Sequence, residues 1–137
     1  MTIEFALAVE QWIGKAKDHA DQALRATAED VVARVKELTP VRTGFLRANW
    51  TVARGDDAIP TASAAPETAE AIAKLRLGDR LLVVNPVVYA ARVEFGFVGV
   101  DSLGRHYDQK GAGMMQRTIN ELPGIARRAA ARVMEKT

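Results

Sequence analysis

The pattern of apolar residues changes at the stretch Thr39-Pro40-Val41-Arg42-Thr43-Gly44-Phe45-Leu46-Arg47-Ala48-Asn49-Trp50. Before it, apolar residues recur at helical spacing from the N-terminus onward, and after it they alternate as in a strand. Pro40 cannot continue a helix and favours extended geometry at the preceding residue. Thr43-Gly44 predicts a turn, because glycine adopts backbone angles that side chains disfavour. The stretch is therefore predicted to join a helix to a strand.

The predicted strand starts at Phe45 and runs to about Arg54. Its alternation places every second residue on an apolar face. The residues on that face are Leu46, Ala48, Trp50 and Val52. We expect a core in which this strand meets the first helix and two later elements. The side chains expected to be mostly buried there are Leu46, Trp50, Val83 and Val93.

Length and composition indicate one domain spanning residues 1–137, large enough for a core without metal or disulfide. The chain has no cysteine, which fits a reducing compartment. No apolar run is long enough to span a membrane, and the early acid Glu4 argues against a signal peptide. We therefore expect no membrane partner.

Charge is unevenly distributed, although the net charge is only +2. Residues 1–38 hold 5 basic and 7 acidic side chains, whereas residues 111–137 hold 5 basic and 2 acidic ones. This asymmetry suits head-to-tail stacking of subunits, but a solvated basic face is the better explanation.

A long amphipathic helix is predicted over residues 3–38. At 1.5 Å per residue it is about 54 Å long, whereas a compact chain of this size is roughly 36 Å across. The helix must therefore break near Gly14 or project onto another subunit, and its alanine-rich stripe favours the second alternative. The residues expected to contact a neighbour are Phe5, Val9, Trp12 and Ile13.

Shorter elements follow. Residues 55–66 predict a surface connection. A short helix over 68–75, a buried strand over 80–85 and a short helix within 87–96 come next, although the β-branched residues of the last segment would also suit a strand. The fold class is α+β: a long N-terminal helix and a kinked C-terminal helix pack on a small, mainly antiparallel sheet, with short helices in the connections.

The segment 97–112 is rich in glycine and predicts a long loop or a loose hairpin, which we expect to be flexible in a free subunit and ordered on a partner. The last helix is predicted over 114–135, with Pro123 kinking or dividing it. Its predicted buried stripe consists of Met115, Ile119, Leu122, Ile125, Ala126, Ala129 and Val133.

Candidate chemistry is sparse. His106 lies near Asp101 and Asp108, but the spacing matches no metal motif, so a solvated loop histidine is the better interpretation. Glu94 lacks an accompanying nucleophile or second carboxylate, so an ion pair with Arg47 or Arg92 is a better interpretation than a general base. The arginines of the last helix, Arg127, Arg128 and Arg132, suit solubility as readily as nucleic-acid binding. The sequence does not predict an enzyme.

Four segments, in order, resemble the sequence boxes of the tail-completion, or neck, proteins of long-tailed bacteriophages. Residues 39–50 resemble TPVDTG-x-x-R-x-(S/N)W, and residues 78–85 resemble GD-x-(I/L)-x-(I/V)-x-N. Residues 89–96 are similar to YA-x-x-(L/V)E-(F/Y)G, and residues 112–115 to AGM(V/M). The chain departs from the boxes at Arg42, where Asp is usual, at Val88, where Pro is common, and in its longer loop.

The resemblance implies a structural protein of the virion, assembled in the bacterial host, without catalysis or cofactor. It implies a homo-oligomeric ring of six subunits that contacts the tail tube or terminator and the head-completion or connector proteins. It implies no specific nucleic acid. The box residues expected to serve the fold are Thr39, Pro40, Thr43, Gly44, Trp50, Asn85, Tyr89, Glu94, Gly96, Gly113 and Met114. In the loop, contacts with a partner are expected from Arg105, His106 and Tyr107.

Three alternative functions stay open: another tail or head–tail connector component such as a tail terminator, a small nucleic-acid-binding module, and a small enzyme centred on Glu94 and His106.

Overall fold

The computed structural model describes residues 2–54, 61–62 and 68–136; the side chains of residues 2–12 and of residue 54 are outside this description. The described part is an α+β fold, as predicted. In chain order its elements are α1 (Thr2–Glu37), α2 (Phe45–Ala48), β1 (Thr51–Arg54), α3 (Thr68–Ala73), β2 (Leu81–Val84), α4 (Ala90–Phe95), β3 (Gly96–Val100), β4 (His106–Lys110) and α5 (Met114–Glu135). Within it, no helix is both long enough and apolar enough to cross a membrane.

The two long helices form the frame of the fold. α1 continues through Gly14, so it does not break there, and α5 continues through Pro123, so that residue does not divide it. Ion pairs join Arg34 to Glu121 at 3.0 Å and Asp30 to Arg132 at 2.8 Å. Because residue numbers fall along one helix as they rise along the other, α1 and α5 are antiparallel.

The predicted strand over residues 45–54 is wrong in its first half, because residues 45–48 form the short helix α2. Gly44 has φ 85°, which redirects the chain, and its carbonyl accepts a hydrogen bond from the N–H of Ala48 at 2.9 Å. Leu46 and Trp50 are four residues apart, so they share a face in a helical turn as well as in a strand. Both are buried as predicted, and Ala48 is half-buried.

The strands form two separate two-stranded antiparallel sheets. In the first, β1 pairs with β2, and Thr51 lies opposite Val84. In the second, β3 pairs with β4, and Gly96 lies opposite Lys110. Of the two alternatives for the glycine-rich segment, the structure therefore shows the hairpin; its predicted flexibility stays a prediction.

Two clusters of buried side chains make up the core. The first packs α1 against β1 and α3, through Ala28, Val32, Val52, Ile72 and Leu75. The second packs the end of α1 against α2 and the start of α5, through Val35, Leu46, Trp50, Val87 and Met114. The half-buried Val83 packs against both clusters and Val93 against the second. The predicted core is therefore correct in part: Leu46 and Trp50 are buried, whereas Val83 and Val93 are half-buried.

The predicted buried stripe of α5 is correct in part. Ile125, Ala129 and Val133 are buried, but Ile119 is 52% and Leu122 is 41% exposed. The face that contacts α1 instead includes Met114 and Thr118. The apolar arc of α5 is wider than the surface that α1 covers, so the choice between its two sides depends on packing.

Candidate functional site

Thr39 and Trp50, at the two ends of the first box, meet in the core. The Trp50 Nε1–H donates to the Thr39 hydroxyl at 2.8 Å, and that hydroxyl donates to the carbonyl of Val35 at 2.6 Å. Both side chains are almost fully buried. A buried indole N–H requires a partner, and this pair therefore fastens α2 to the last turn of α1.

The residues between them shape the connection. The N–H of Phe45 donates to the Thr43 hydroxyl at 3.3 Å, and the guanidinium of Arg47 donates to the carbonyl of Thr39 at 3.1 Å. Pro40 and Thr43 are exposed, whereas the positive φ of Gly44 is part of the turn. These residues direct the chain and form no cleft for a ligand.

Asn85 connects the end of β2 to α2. Its amide nitrogen donates to the carbonyl of Leu46 at 2.8 Å, and its amide oxygen accepts the N–H of Val87 at 3.1 Å. Tyr89, which precedes α4, is 41% exposed. The Asn side chain thus stabilises a turn, and Tyr89 is available at the surface.

Glu94 caps α5 and does not form the predicted ion pair. Its carboxylate accepts the N–H of Met115 at 2.7 Å and that of Gln116 at 3.1 Å. The guanidinium of Arg92 instead lies over the ring of Phe97, 4.1 Å from its centroid. The first N–H groups of a helix lack partners within it, and the residue before α5 is a glycine, so a carboxylate from α4 satisfies them.

We expect Glu94→Ala to lower the free energy of unfolding by about 0.5–2 kcal/mol, because two N–H groups of α5 lose their acceptor. Glu94→Gln keeps one oxygen acceptor and should cost less. Urea denaturation of the three proteins measures both effects. Equal midpoints for the parent and Glu94→Ala would contradict the capping role.

Gly96, at the start of β3, and Gly111, directly after β4, lie where the two backbones approach each other closely. A Cβ on Gly96 would lie 2.7 Å from the backbone nitrogen of Gly111, and a Cβ on Gly111 would lie 2.7 Å from the carbonyl carbon of Phe95. Next to this close approach, the N–H of Ala112 donates to the carbonyl of Val93 (2.7 Å) and that of Gly113 to the carbonyl of Glu94 (3.1 Å). These bonds hold the chain before α5 against α4 and place the fully buried Met114 in the core.

Asp101 organises the tip of the β3–β4 hairpin. Its carboxylate accepts the backbone N–H groups of Leu103 and Arg105 (both 2.9 Å), the Arg105 guanidinium (2.6 Å) and the hydroxyl of Tyr107 (3.1 Å). The ring of Tyr107 packs beside that of Phe97, at 5.9 Å between centroids. Of the three predicted loop contacts, Tyr107 is thus half-buried within the hairpin.

The other two predicted contacts, Arg105 and His106, are exposed. His106 and Asp108 lie on the face of β4 opposite to Tyr107. Among the described residues, no group of three His, Cys, Asp or Glu side chains is placed to hold a metal ion.

The hydrogen bond from the backbone N–H of Arg105 lowers the pKa of Asp101 below its ordinary value of 3.8. A depressed folded-state pKa contributes stability that is present above the unfolded pKa and is lost as the pH falls through the folded one. We therefore expect the amide chemical shifts of the hairpin to change with pH in an NMR titration, and the midpoint of that change to lie below pH 3.8. Asp101→Asn should lack this transition, and a midpoint at or above 3.8 in the parent would contradict the assignment.

A shallow groove of about 370 Å³ lies between α1 and α5. Arg34 lines it and binds both Glu121 and Glu37; its hydrogen bond to Glu121 raises the pKa of Arg34 above the ordinary value. Arg132 is paired with Asp30 nearby. The groove is therefore lined by ion pairs that join the helices, and the basic face of α5 is partly neutralised.

Residues 13–18 of α1 have little cover from the described part of the subunit. The side chains of residues 13–18 are all exposed, Ile13 by 42%, and a Cβ on Gly14 would meet no atom within 4 Å. Among the described side chains of α1, Asp21 joins the helix to the globule, because its carboxylate accepts the N–H of Leu77 at 2.6 Å. Of the predicted contacts, Phe5, Val9 and Trp12 lie outside the described side chains.

The family model described as "Bacteriophage HK97-gp10, putative tail-component" matches residues 4–96, about two thirds of the chain. No curated protein and no solved structure gives a significant match. The matched segment includes α1, the first box, Asn85 and Glu94, whose side chains hold the fold together as described above. The chain therefore belongs to the HK97-gp10-like family of bacteriophage tail components.

Proposed function

We propose that this tail component completes the phage tail as a ring of six subunits and joins it to the head-completion or connector proteins. The observation that carries the proposal is the exposed stretch of α1 over residues 13–18. A helix of 36 residues extends well beyond its antiparallel partner of 22 residues, and a projecting amphipathic helix is an element for assembly.

The polar groups of the box residues support a structural role. The side chains of Thr39, Asn85 and Glu94 bond to neighbouring backbone groups or to Trp50. In the part of the chain that the structure describes, no buried side-chain nitrogen or oxygen lacks a hydrogen-bond partner. The residues that carry the family resemblance thus stabilise the fold, and we infer that exposed surfaces of the subunit bind its partners.

We assign the contact with head-completion or connector proteins to the β3–β4 hairpin. A two-stranded sheet alone is marginally stable in water. This hairpin packs on α4 through Arg92 and Phe97, yet it exposes Val98 by 77%, Val100 by 52% and Leu103 by 75%. A partner that covers these apolar side chains would stabilise the hairpin.

Val9→Lys combined with Trp12→Glu tests the proposal. We expect the double variant to remain folded but to lose oligomers and tail completion, because two apolar positions on one face of the projecting helix become charged. Light scattering, negative-stain microscopy and complementation of a tail-defective phage are the measurements, with thermal unfolding by circular dichroism as the test of folding.

Val88→Lys combined with Leu77→Glu is the matched control, since both residues are exposed and the same charges are introduced. This control should still assemble. If the helix variant unfolds instead of dissociating, the N-terminal part of α1 belongs to the core of the subunit and the assembly role is wrong.

A further inference from the structure

We propose that an exposed strip on α5 receives the N-terminal part of α1 from a neighbouring subunit; this inference rests on the ring proposed above. The α1 overhang is defined as residues 2–20. The α5 strip consists of Met115, Ile119, Leu122, Ala126 and Ala130.

The α5 strip is a second apolar face on a helix that already has one face buried. Its members recur at intervals of three and four residues, centred roughly 80° around the helix from the face that packs on α1, at 100° per residue. Met115 is partly covered by the second core cluster, but Ile119 and Leu122 are exposed by 52% and 41%. Among the described elements, α4 reaches α5 at the start of the strip through Glu94, and Ala126 and Ala130 are half-buried, so Ile119 and Leu122 are the exposed part of the strip.

The dimensions of the two surfaces agree. The 19 residues of the α1 overhang extend about 28 Å, and the α5 strip extends about 23 Å from its first to its last residue, at 1.5 Å per residue. Ala126 and Ala130 leave room for a second helix to approach closely, and Ala16 and Ala20 give the overhang the same property.

The charges also favour a second copy of this chain as the occupant. Residues 1–38 carry two more acidic than basic side chains, and residues 111–137 carry three more basic than acidic ones. Arg127 directly follows Ala126 of the α5 strip and is exposed. The α1 overhang itself carries three acidic side chains (Glu4, Glu10 and Asp18) and two basic ones (Lys15 and Lys17), and this net charge of −1 favours a basic surface.

The two surfaces are different parts of the chain, so the contact is heterologous. Each subunit would insert one α1 overhang and receive another, and a contact of this kind closes into a ring when its rotation allows. The α1 overhang and the α5 strip are thus the two different surfaces that a ring with heterologous contacts requires.

Disulfide cross-linking tests the contact directly, because the chain has no cysteine of its own. Ile13→Cys is combined in turn with Ile119→Cys, Leu122→Cys and Ala126→Cys. Each protein is oxidised at high concentration and in tails purified from complemented lysates. We expect at least one pair to give a ladder of covalent multimers, whereas each single variant gives dimers at most.

Ile13→Cys with Val88→Cys is the matched control, because Val88 is an exposed apolar residue outside the α5 strip and the hairpin. A ladder from this control and from none of the α5 pairs would overturn the inference. Rings without any α5 ladder would overturn it too, while leaving the ring itself intact. Monomers in solution and in tails would overturn both proposals.

Ile119→Lys supplies a second measurement that does not depend on oxidation. Because its side chain is half exposed, the subunit should fold with an unchanged melting curve. We expect the concentration for half-assembly to rise at least roughly tenfold, which corresponds to about 1.4 kcal/mol. Val88→Lys should leave that concentration unchanged, because Val88 is 98% exposed and lies outside both surfaces. An unchanged value for Ile119→Lys would contradict the role of the α5 strip.

Discussion

Trp50→Ala is expected to lower the free energy of unfolding by about 3–5 kcal/mol, as losses of large buried side chains do. Trp50 is 4% exposed and packs in the cluster formed by Val35, Leu46, Val87 and Met114. Its removal leaves a cavity where α1, α2 and α5 meet. Denaturant unfolding monitored by circular dichroism measures the loss, since the tryptophan signal itself changes in the variant.

Trp50→Phe separates packing from hydrogen bonding. It keeps an aromatic ring but removes the donor to Thr39, which still donates to Val35. We expect a smaller loss, to which the missing hydrogen bond contributes about 1 kcal/mol. If the curves of Trp50→Ala and the parent coincide, the second core cluster is wrongly assigned.

Gly96→Ala is expected to destabilise the protein by about 2–5 kcal/mol, the sum of backbone strain and overpacking. Gly96 has φ 83° and ψ 174°, a region that is essentially restricted to glycine. A methyl group would also press on the backbone of Gln109 and Gly111, which cannot rotate away as a side chain can. We expect both the hairpin and the cap of α5 to loosen, which hydrogen exchange would detect alongside the denaturation midpoint.

Gly104→Ala is the matched control, because Gly104 also has a positive φ of 79° but no atom within 4 Å of the added Cβ. It should show the strain without the overpacking, a loss of about 1–2 kcal/mol. Equal losses for the two variants would contradict the importance of the close approach at Gly96.

Much of the fold could be predicted from local pattern alone. The periodicity of α1 and α5 extends over many turns, so their bounds agree with prediction to within one residue at each end. Pro40 and Gly44 indicated where α1 ends. Leu46 and Trp50 were expected in the core from strand alternation, and both are buried although residues 45–48 are helical. Length also predicted that the globule could not cover all of α1.

Other features depend on contacts between segments far apart in sequence. Spacing alone allowed residues 45–48 to be strand or helix, and the turn at Gly44 with the bonds from Trp50 and Asn85 decided for helix. The role of Glu94 was missed because its partners are 21 and 22 residues away. A signal did exist, since Gly113 leaves the start of α5 without a side-chain cap of its own.

The sequence by itself therefore determined the two long helices, the burial of Leu46 and Trp50 and the family resemblance, because these follow from spacing along the chain and from residue type. The tertiary structure decided which side of α5 is buried and which is left exposed. The buried side carries Met114 in the core, and ion pairs from Arg34 and to Arg132 join α5 to α1. These contacts join segments far apart in sequence, so spacing along the chain does not reveal them.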